Sequence, residues 1–292
     1  DREALISKST SQTAVDRYIA ERPLTPREAM LDLKGNIFPK KDLMEHLSNI
    51  RTNSKLQASK QVGDLVRTET GQLVWRQKKF GDILTYDIPD GEDKTGSIVI
   101  WEHPDPAAPF GLYIAGCDPY DHDVSQTGSL GSFFIYKRFN NIESYYDIIV
   151  AEYTGRPPTA EEYYENCRRL LEYYNARLLY ENERKGLHVY FTQKHCEHLL
   201  VDTPDIVNDI IQDTHVNRRK GIHMTKFIKE YGLGLIKEWL NEEISPGVKR
   251  LTTILSEPLL EELIAYNDTG NFDRVIAFIM CLILREDMYN VS

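Results

Sequence analysis

The chain has 292 residues, of which 41% are hydrophobic and 27% charged, and a formal net charge of −10. It is too long for one minimal domain, and its composition is that of a globular protein rather than a disordered or fibrous one. The acidity excludes a surface coated in basic charge, so nucleic-acid contact would need a local basic patch, ideally aided by metal ions. No run approaches the roughly 18 apolar residues of a membrane span. Four cysteines (Cys117, Cys167, Cys196, Cys281) form no CxxC pair, which disfavours a disulfide framework and fits a reducing cytosol. The opening DREALISKST has no Met and no signal-like apolar run, and reads as a piece of a longer chain.

Residues 1–70 are polar and read as a helical connector from a neighbouring domain. LTPREAMLDL (24–33) offers Thr25 as N-cap and Pro26 at the first helical position, and PKKDLMEHLSNI (39–50) a second amphipathic helix. Residues 71–109 read as a β-hairpin region, with QLVWRQ, DILTYDI and SIVIWEH split by the turn material PDGEDKTG. The main domain spans 110–292. GLYIAGC (111–117) is a buried strand stopped by Pro119, and 130–139 and 144–153 follow as strands in an antiparallel meander. Thr159 and Glu162 make a capping box for a helix with Tyr163, Cys167, Leu170 and Tyr174 on one face. ARLLYE (176–181) is a fourth strand. The predicted core is therefore β-β-β-α-β, a mixed α/β sheet flanked by helices. Helices are then expected at 184–196, 222–242 and 256–266, a short strand near 198–202, and a helix over VIAFIMCLIL (275–284) that is apolar on every side and hence buried.

This topology gathers acids. Strand three of a meander runs parallel to strand one, and a crossover helix makes strand four parallel to both. Asp118 ends strand one and Glu181 ends strand four, so the two share a sheet edge, about 4.8 Å apart if the strands are neighbours. Asp273, in GNFDRVIAF, stands at the mouth of the buried helix, whose N-terminus favours negative charge. It also suits a plain N-cap. Converging carboxylates raise one another's pKa unless a cation neutralises them, and an oxygen-only donor set points to Mg²⁺ or Mn²⁺. Two such ions about 3.5–4 Å apart can activate water and stabilise the leaving oxygen in phosphodiester cleavage. Asp121 reads as a loop acid. The basic stretch VNRRKGIHMTKFIKE carries Arg218, Arg219, Lys220, Lys226 and Lys229, and Arg184 and Lys185 follow Glu181. Together they form a track for a phosphate backbone or, on the plainer reading, a solvated loop and helix face. Lys137 and Arg138 end strand two at the opposite edge. His195, Cys196 and His198 have no second ligand pair at zinc-finger spacing and read as a helix end.

YIAGCDPYDHDVSQTGSLGSFFIYKR, ARLLYENERKG and GNFDRVIAF together resemble the nuclease domain of the large terminase subunit of tailed bacteriophages. That domain has a ribonuclease H-like fold related to RuvC-type resolvases. The resemblance covers about residues 110–290, and the connector with LTPREAM resembles the segment joining the terminase ATPase to its nuclease. It implies Asp118, Glu181 and Asp273 as catalytic metal ligands, with Asp123 matching a further aspartate of the family. Family members often pair two aspartates at the last position, where this chain has Phe272 and Asp273. It also implies cutting of concatemeric double-stranded DNA during genome packaging in the host cytoplasm, with the portal and small terminase subunit as partners. The chain has no G-x-x-x-x-G-K-[ST] motif, so the ATPase domain is expected outside it. A resolvase or transposase of the same fold, or a non-catalytic module docking on DNA or the portal, stand as alternatives.

Overall fold

A computed structural model of the chain describes residues 36–85, 88, 91–120, 129–138, 147–183, 185–211, 219–267 and 269–290. Seven strands form one mixed sheet: β1 (Gln61–Arg67), β2 (Leu73–Lys78), β3 (Ile98–Ile100), β4 (Tyr113–Asp118), β5 (Gly131–Lys137), β6 (Ile148–Gly155) and β7 (Arg177–Tyr180), in the order β2-β1-β3-β6-β5-β4-β7. β4, β5 and β6 are the antiparallel meander, and β7 lies parallel to β4 in the register Cys117↔Tyr180. The segment β6-β5-β4-β7 has the ribonuclease H-like order that the sequence predicts.

Alternation along the strands supplies two cores. Ile114, Phe134, Tyr136 and Leu179 face one helical layer, and Ala115, Cys117, Phe133, Ile135, Leu178 and Tyr180 face the other. The second layer is α3 (Ala160–Tyr174) with α4 (Gly186–Gln193). Thr159 caps α3 by accepting from Glu162 N at 3.3 Å, and Tyr163, Cys167, Leu170 and Tyr174 form its buried stripe. The first layer holds α1 (Lys40–Thr52), α6 (Lys226–Asn241), α7 (Glu257–Ala265) and α8 (Asp273–Asn290). Between α1 and β1 lies the short α2 (Ser54–Ala58), and α5 (Asp205–Ile211) precedes α6. No helix among the described residues is long and apolar enough to cross a membrane.

Several local expectations differ from the structure. Gln61–Arg67, inside the stretch expected as a helical connector, is a strand that pairs with β2 and β3. Its strand character comes from pairing, with β2 across the short 68–72 turn and with the more distant β3, which local composition does not register. The sheet thus runs continuously across positions 70 and 109. Asp82–Thr85 is not strand. The strand expected near 198–202 is a 3₁₀ turn at Glu197–Leu199 followed by single bridges, Leu178↔Leu200 and Asp202↔Lys220. A two-stranded ribbon, β8 (Glu243–Ser245) with β9 (Val248–Lys249), was not expected. LTPREAMLDL lies outside the described residues.

Gly116 sets how closely α8 approaches the sheet. A Cβ there would stand 2.3 Å from Ala277 O and 2.5 Å from Cys281 N, both backbone atoms of α8. Neither can move without displacing the helix. Gly116→Ala is expected to destabilise the protein by about 1–3 kcal/mol or more, read as a lower urea midpoint. An unchanged midpoint would show that α8 is not seated directly on β4.

Candidate active site

β4 ends at Asp118 because Pro119 cannot continue the ladder. β7 ends one residue before Glu181, whose N–H donates to Cys117 O at 3.0 Å. On its other side, Ile222 N donates to Tyr180 O at 2.9 Å and Asn182 N to Ile222 O at 2.8 Å. The Asn182 side chain donates to Lys220 O at 2.8 Å. Glu181 is thus held between β4 and the 220–222 segment, beside Asp118.

The carboxyls of Asp118 and Glu181 lie side by side and interact directly. Burial, followed by the charges of Glu181 and Asp273, pushes Asp118 well above the usual carboxylate range. Burial also raises Glu181, against the hydrogen bond from Asp118, with Glu183 and Asp273 adding repulsion and His223 relieving it. Carboxylates drawn together in this way repel unless a proton or a cation neutralises them.

Asp273 opens α8, but it does not cap its own helix. Glu262, from α7, accepts from Arg274 N at 2.9 Å and Val275 N at 3.1 Å and so takes the capping role. Asp273 Oδ2 instead accepts from Leu130 N at 3.0 Å, at the entry to β5. Burial pushes its carboxyl up to about 6, while Leu130 N–H and the Asn271 side chain hold it down. Arg274 turns inward, 1% exposed, and binds Glu152 Oε1 at 2.5 Å, Glu262 Oε1 at 3.2 Å and Ile83 O at 3.1 Å.

The donor chemistry suits a hard divalent cation: half-buried carboxylate oxygens drawn toward one another at a sheet edge. Among the described residues, however, no group of three or more His, Cys, Asp or Glu side chains is close enough to hold an ion as it stands. Asp118 and Glu181 are in contact, and Asp273 stands within electrostatic range of both. The raised carboxyls give the metal-free protein a defined pH dependence. Their protons are retained on folding and lost on unfolding, so the stability they contribute is present near pH 4. It falls as pH rises through the folded value, about 6 for Asp273. In chelator, the urea midpoint should drop between pH 5 and 7.5. A midpoint that rises across that window would contradict the cluster.

Asp121, Asp123, Arg184 and Arg218 lie outside the described residues. Lys185 and Arg219 are exposed, and Lys229 is half-buried. The Lys226 side chain is 87% exposed, 3.8 Å from Glu230, at the start of α6. Lys220 is committed to the fold, with Nζ 2.9 Å from Asp202 and donating to Leu200 O at 3.0 Å. Lys137, at the opposite edge, pairs with Glu102 at 2.7 Å. The sequence expectations passed over Arg156. It follows β6, whose end Gly155 pairs with Gly131, next to the Asp118↔Ser132 pair. The strand-direction rule that located Glu181 also places Arg156 at this edge, so its signal was present in the sequence.

No protein-family model matches the chain, and no curated protein matches it. Among solved structures, it is similar to the large terminase nuclease from thermophilic phage G20c with bound zinc (12% identity, TM-score 0.42, covering 68% of this chain and 91% of that one). A second structure of that nuclease is similar at 11% identity, with a TM-score of 0.41 and the same coverage. The likeness concerns the fold alone, and the site stands on its own carboxyls.

Proposed function

We propose that this protein is a metal-dependent endonuclease that hydrolyses phosphodiester bonds in double-stranded DNA. The observation that carries the reading is the half-buried, directly interacting Asp118–Glu181 carboxyl pair at a sheet edge, with Asp273 in electrostatic range. Asp118 and Glu181 would hold Mg²⁺ or Mn²⁺, Asp273 would complete a two-ion site, and Asp123 would be an auxiliary ligand. Bound there, the ions would supply an activated water and charge stabilisation at the phosphate. A cation held there would neutralise the converging carboxylates, which would let an acidic protein accept a phosphate backbone. Asp273 is kept in place by Leu130 N–H and the α8 cap. Lys185, Arg219, Lys226 and Lys229 would serve as the phosphate track, to which the sequence adds Arg184 and Arg218. Lys220 supports that track by fixing the 220–222 segment against Asp202.

In the wider setting the chain would serve as the nuclease part of a phage packaging motor in the host cytoplasm. It would cut concatemers alongside an ATPase domain, the portal and the small terminase subunit. This extends the resemblance carried by CDPYDHD, ARLLYENERKG and GNFDRVIAF. The test is direct: the purified protein should nick supercoiled plasmid with millimolar Mn²⁺ and stop on chelation. Intact plasmid across a Mn²⁺ and Mg²⁺ series, with no binding heat for either ion, would end this reading.

A further inference from the structure

One peptide group at the site is hydrogen-bonded at both ends by charged side chains. The Ser129 carbonyl accepts from Arg156 Nη1, and the Leu130 N–H of the same peptide donates to Asp273 Oδ2 at 3.0 Å. The chain guanidinium, carbonyl, N–H, carboxylate is aligned so that each charge polarises the peptide in the same sense. The Asn271 side chain fastens the same point, donating to Ser129 Oγ at 2.9 Å. Arg156 also lies over the Tyr120 ring, 4.4 Å from its centroid. Tyr120 follows Asp118 by two residues and is itself tied down. Its hydroxyl donates to Pro157 O at 3.1 Å, and its carbonyl accepts from Tyr164 Oη at 2.8 Å. Arg156 therefore grips the chain where it leaves β4, just past Asp118, and where it re-enters β5, beside Asp273. The guanidinium is suited to both contacts at once: a flat face for the ring and an in-plane donor for the carbonyl.

We infer that Arg156 is a positioning residue that aims Asp273 through the Ser129–Leu130 peptide and fixes the β4 exit that carries Asp118. The inference rests on the nuclease reading for its catalytic meaning, but the clamp itself is testable without metal. In metal-free Arg156→Gln, amide exchange of Leu130 followed by NMR should be ~10-fold faster than in the wild type, with Phe134 and Ile135 unchanged. Leu130 exchange within twofold of the wild type would overturn the clamp. The second arm uses Mn²⁺ alone in calorimetry and plasmid in cleavage. Mn²⁺ affinity and kcat are each expected to fall by about 10–100-fold, the usual effect of losing an outer partner of a ligand, with KM for DNA unchanged. A raised KM with unchanged kcat and Mn²⁺ affinity would make Arg156 a DNA contact and overturn the positioning role. Should the glutamine variant not fold, Arg156→Lys keeps the charge and a donor but loses the flat stack. It should show the same changes, reduced to roughly threefold. If the wild type neither binds Mn²⁺ nor cuts, the nuclease reading fails, and the exchange arm still decides the clamp.

Discussion

Asp118→Asn should abolish Mn²⁺-dependent cleavage while making the metal-free protein more stable. The two effects have one cause. Asp118 is half-buried beside Glu181 and within range of Asp273, and its carboxyl is pushed well up by desolvation and by those two charges. Asparagine has nearly the same shape, keeps a hydrogen bond to Glu181, and removes one member of the repelling set. Above neutral pH in chelator, the variant should melt several degrees higher than the wild type. The same change removes an anionic oxygen from the proposed ion site. Loss of an outer partner of a metal ligand typically costs about 10–100-fold, so loss of a ligand should exceed about 100-fold in kcat. A variant that cuts normally would remove Asp118 from the chemistry. A variant that melts lower in chelator would instead mark Asp118 as an ordinary structural acid. The paired readout matters because a residue needed only for folding would lose activity and stability together.

Arg274→Met should produce the largest loss of stability of any single change at this end of the molecule. The guanidinium is 1% exposed and faces Glu152 and Glu262, whose side chains are 5% and 4% exposed. Glu152 is further tied to Ser256 Oγ at 2.5 Å and Thr154 Oγ1 at 2.9 Å, so β6, α7 and α8 meet at this cluster. Removing this guanidinium leaves Glu152 and Glu262 buried without their counter-charge, and breaking a buried ion pair in this way costs about 3–5 kcal/mol where the acids are ionised, which for Glu262, raised by burial to about 8, means above that pH. Adding Glu152→Gln and Glu262→Gln to the same chain should recover much of that loss, because the penalty lies in the stranded charges rather than in lost attraction. Urea denaturation at pH 9, above the Glu262 value of about 8, reads both variants. A loss below about 1 kcal/mol for Arg274→Met would mean that these acids find water or protons instead. The cluster also matters to the site. Glu262 caps α8 through Arg274 N and Val275 N, and with the cap supplied from α7, Asp273 is left to point toward Leu130.

Asp273 illustrates how the sequence and the structure divide the evidence. GNFDRVIAF places an acid where turn material meets an apolar helix, and that pattern fits an N-cap and a site ligand equally. The contact that separates them lies eleven residues upstream, at Glu262, a glutamate with nothing local to mark it as buried. Glu181 was more legible. Its place at the end of LLY, together with the meander and crossover rules, puts it at the same sheet edge as Asp118, and the Cys117↔Tyr180 register makes the two strands neighbours. β1 was the reverse case. QVGDLVR becomes strand because Ile98–Ile100 offers an open edge, and a partner that distant leaves no mark on local periodicity. Lys220 shows the same limit among the cations: in VNRRKGI it looks like its neighbours, and only the fold brings Asp202 to it.

By itself, the sequence determined the order of the central strands, the capped and striped α3, the buried α8 and the sheet edge at which Asp118 and Glu181 end. These follow from short-range rules, namely alternation, capping chemistry and the directions that short connections allow, each acting within a few residues or through strand polarity. The tertiary structure decided what the acids touch. It set Asp118 against Glu181, moved the capping of α8 to Glu262, set Asp273 on the Leu130 amide and brought Arg156 to the other end of that peptide. Those contacts depend on burial and on the meeting of groups far apart in the chain. The strength of a charge interaction is set by the medium and the distance, and neither exists until the layers have packed.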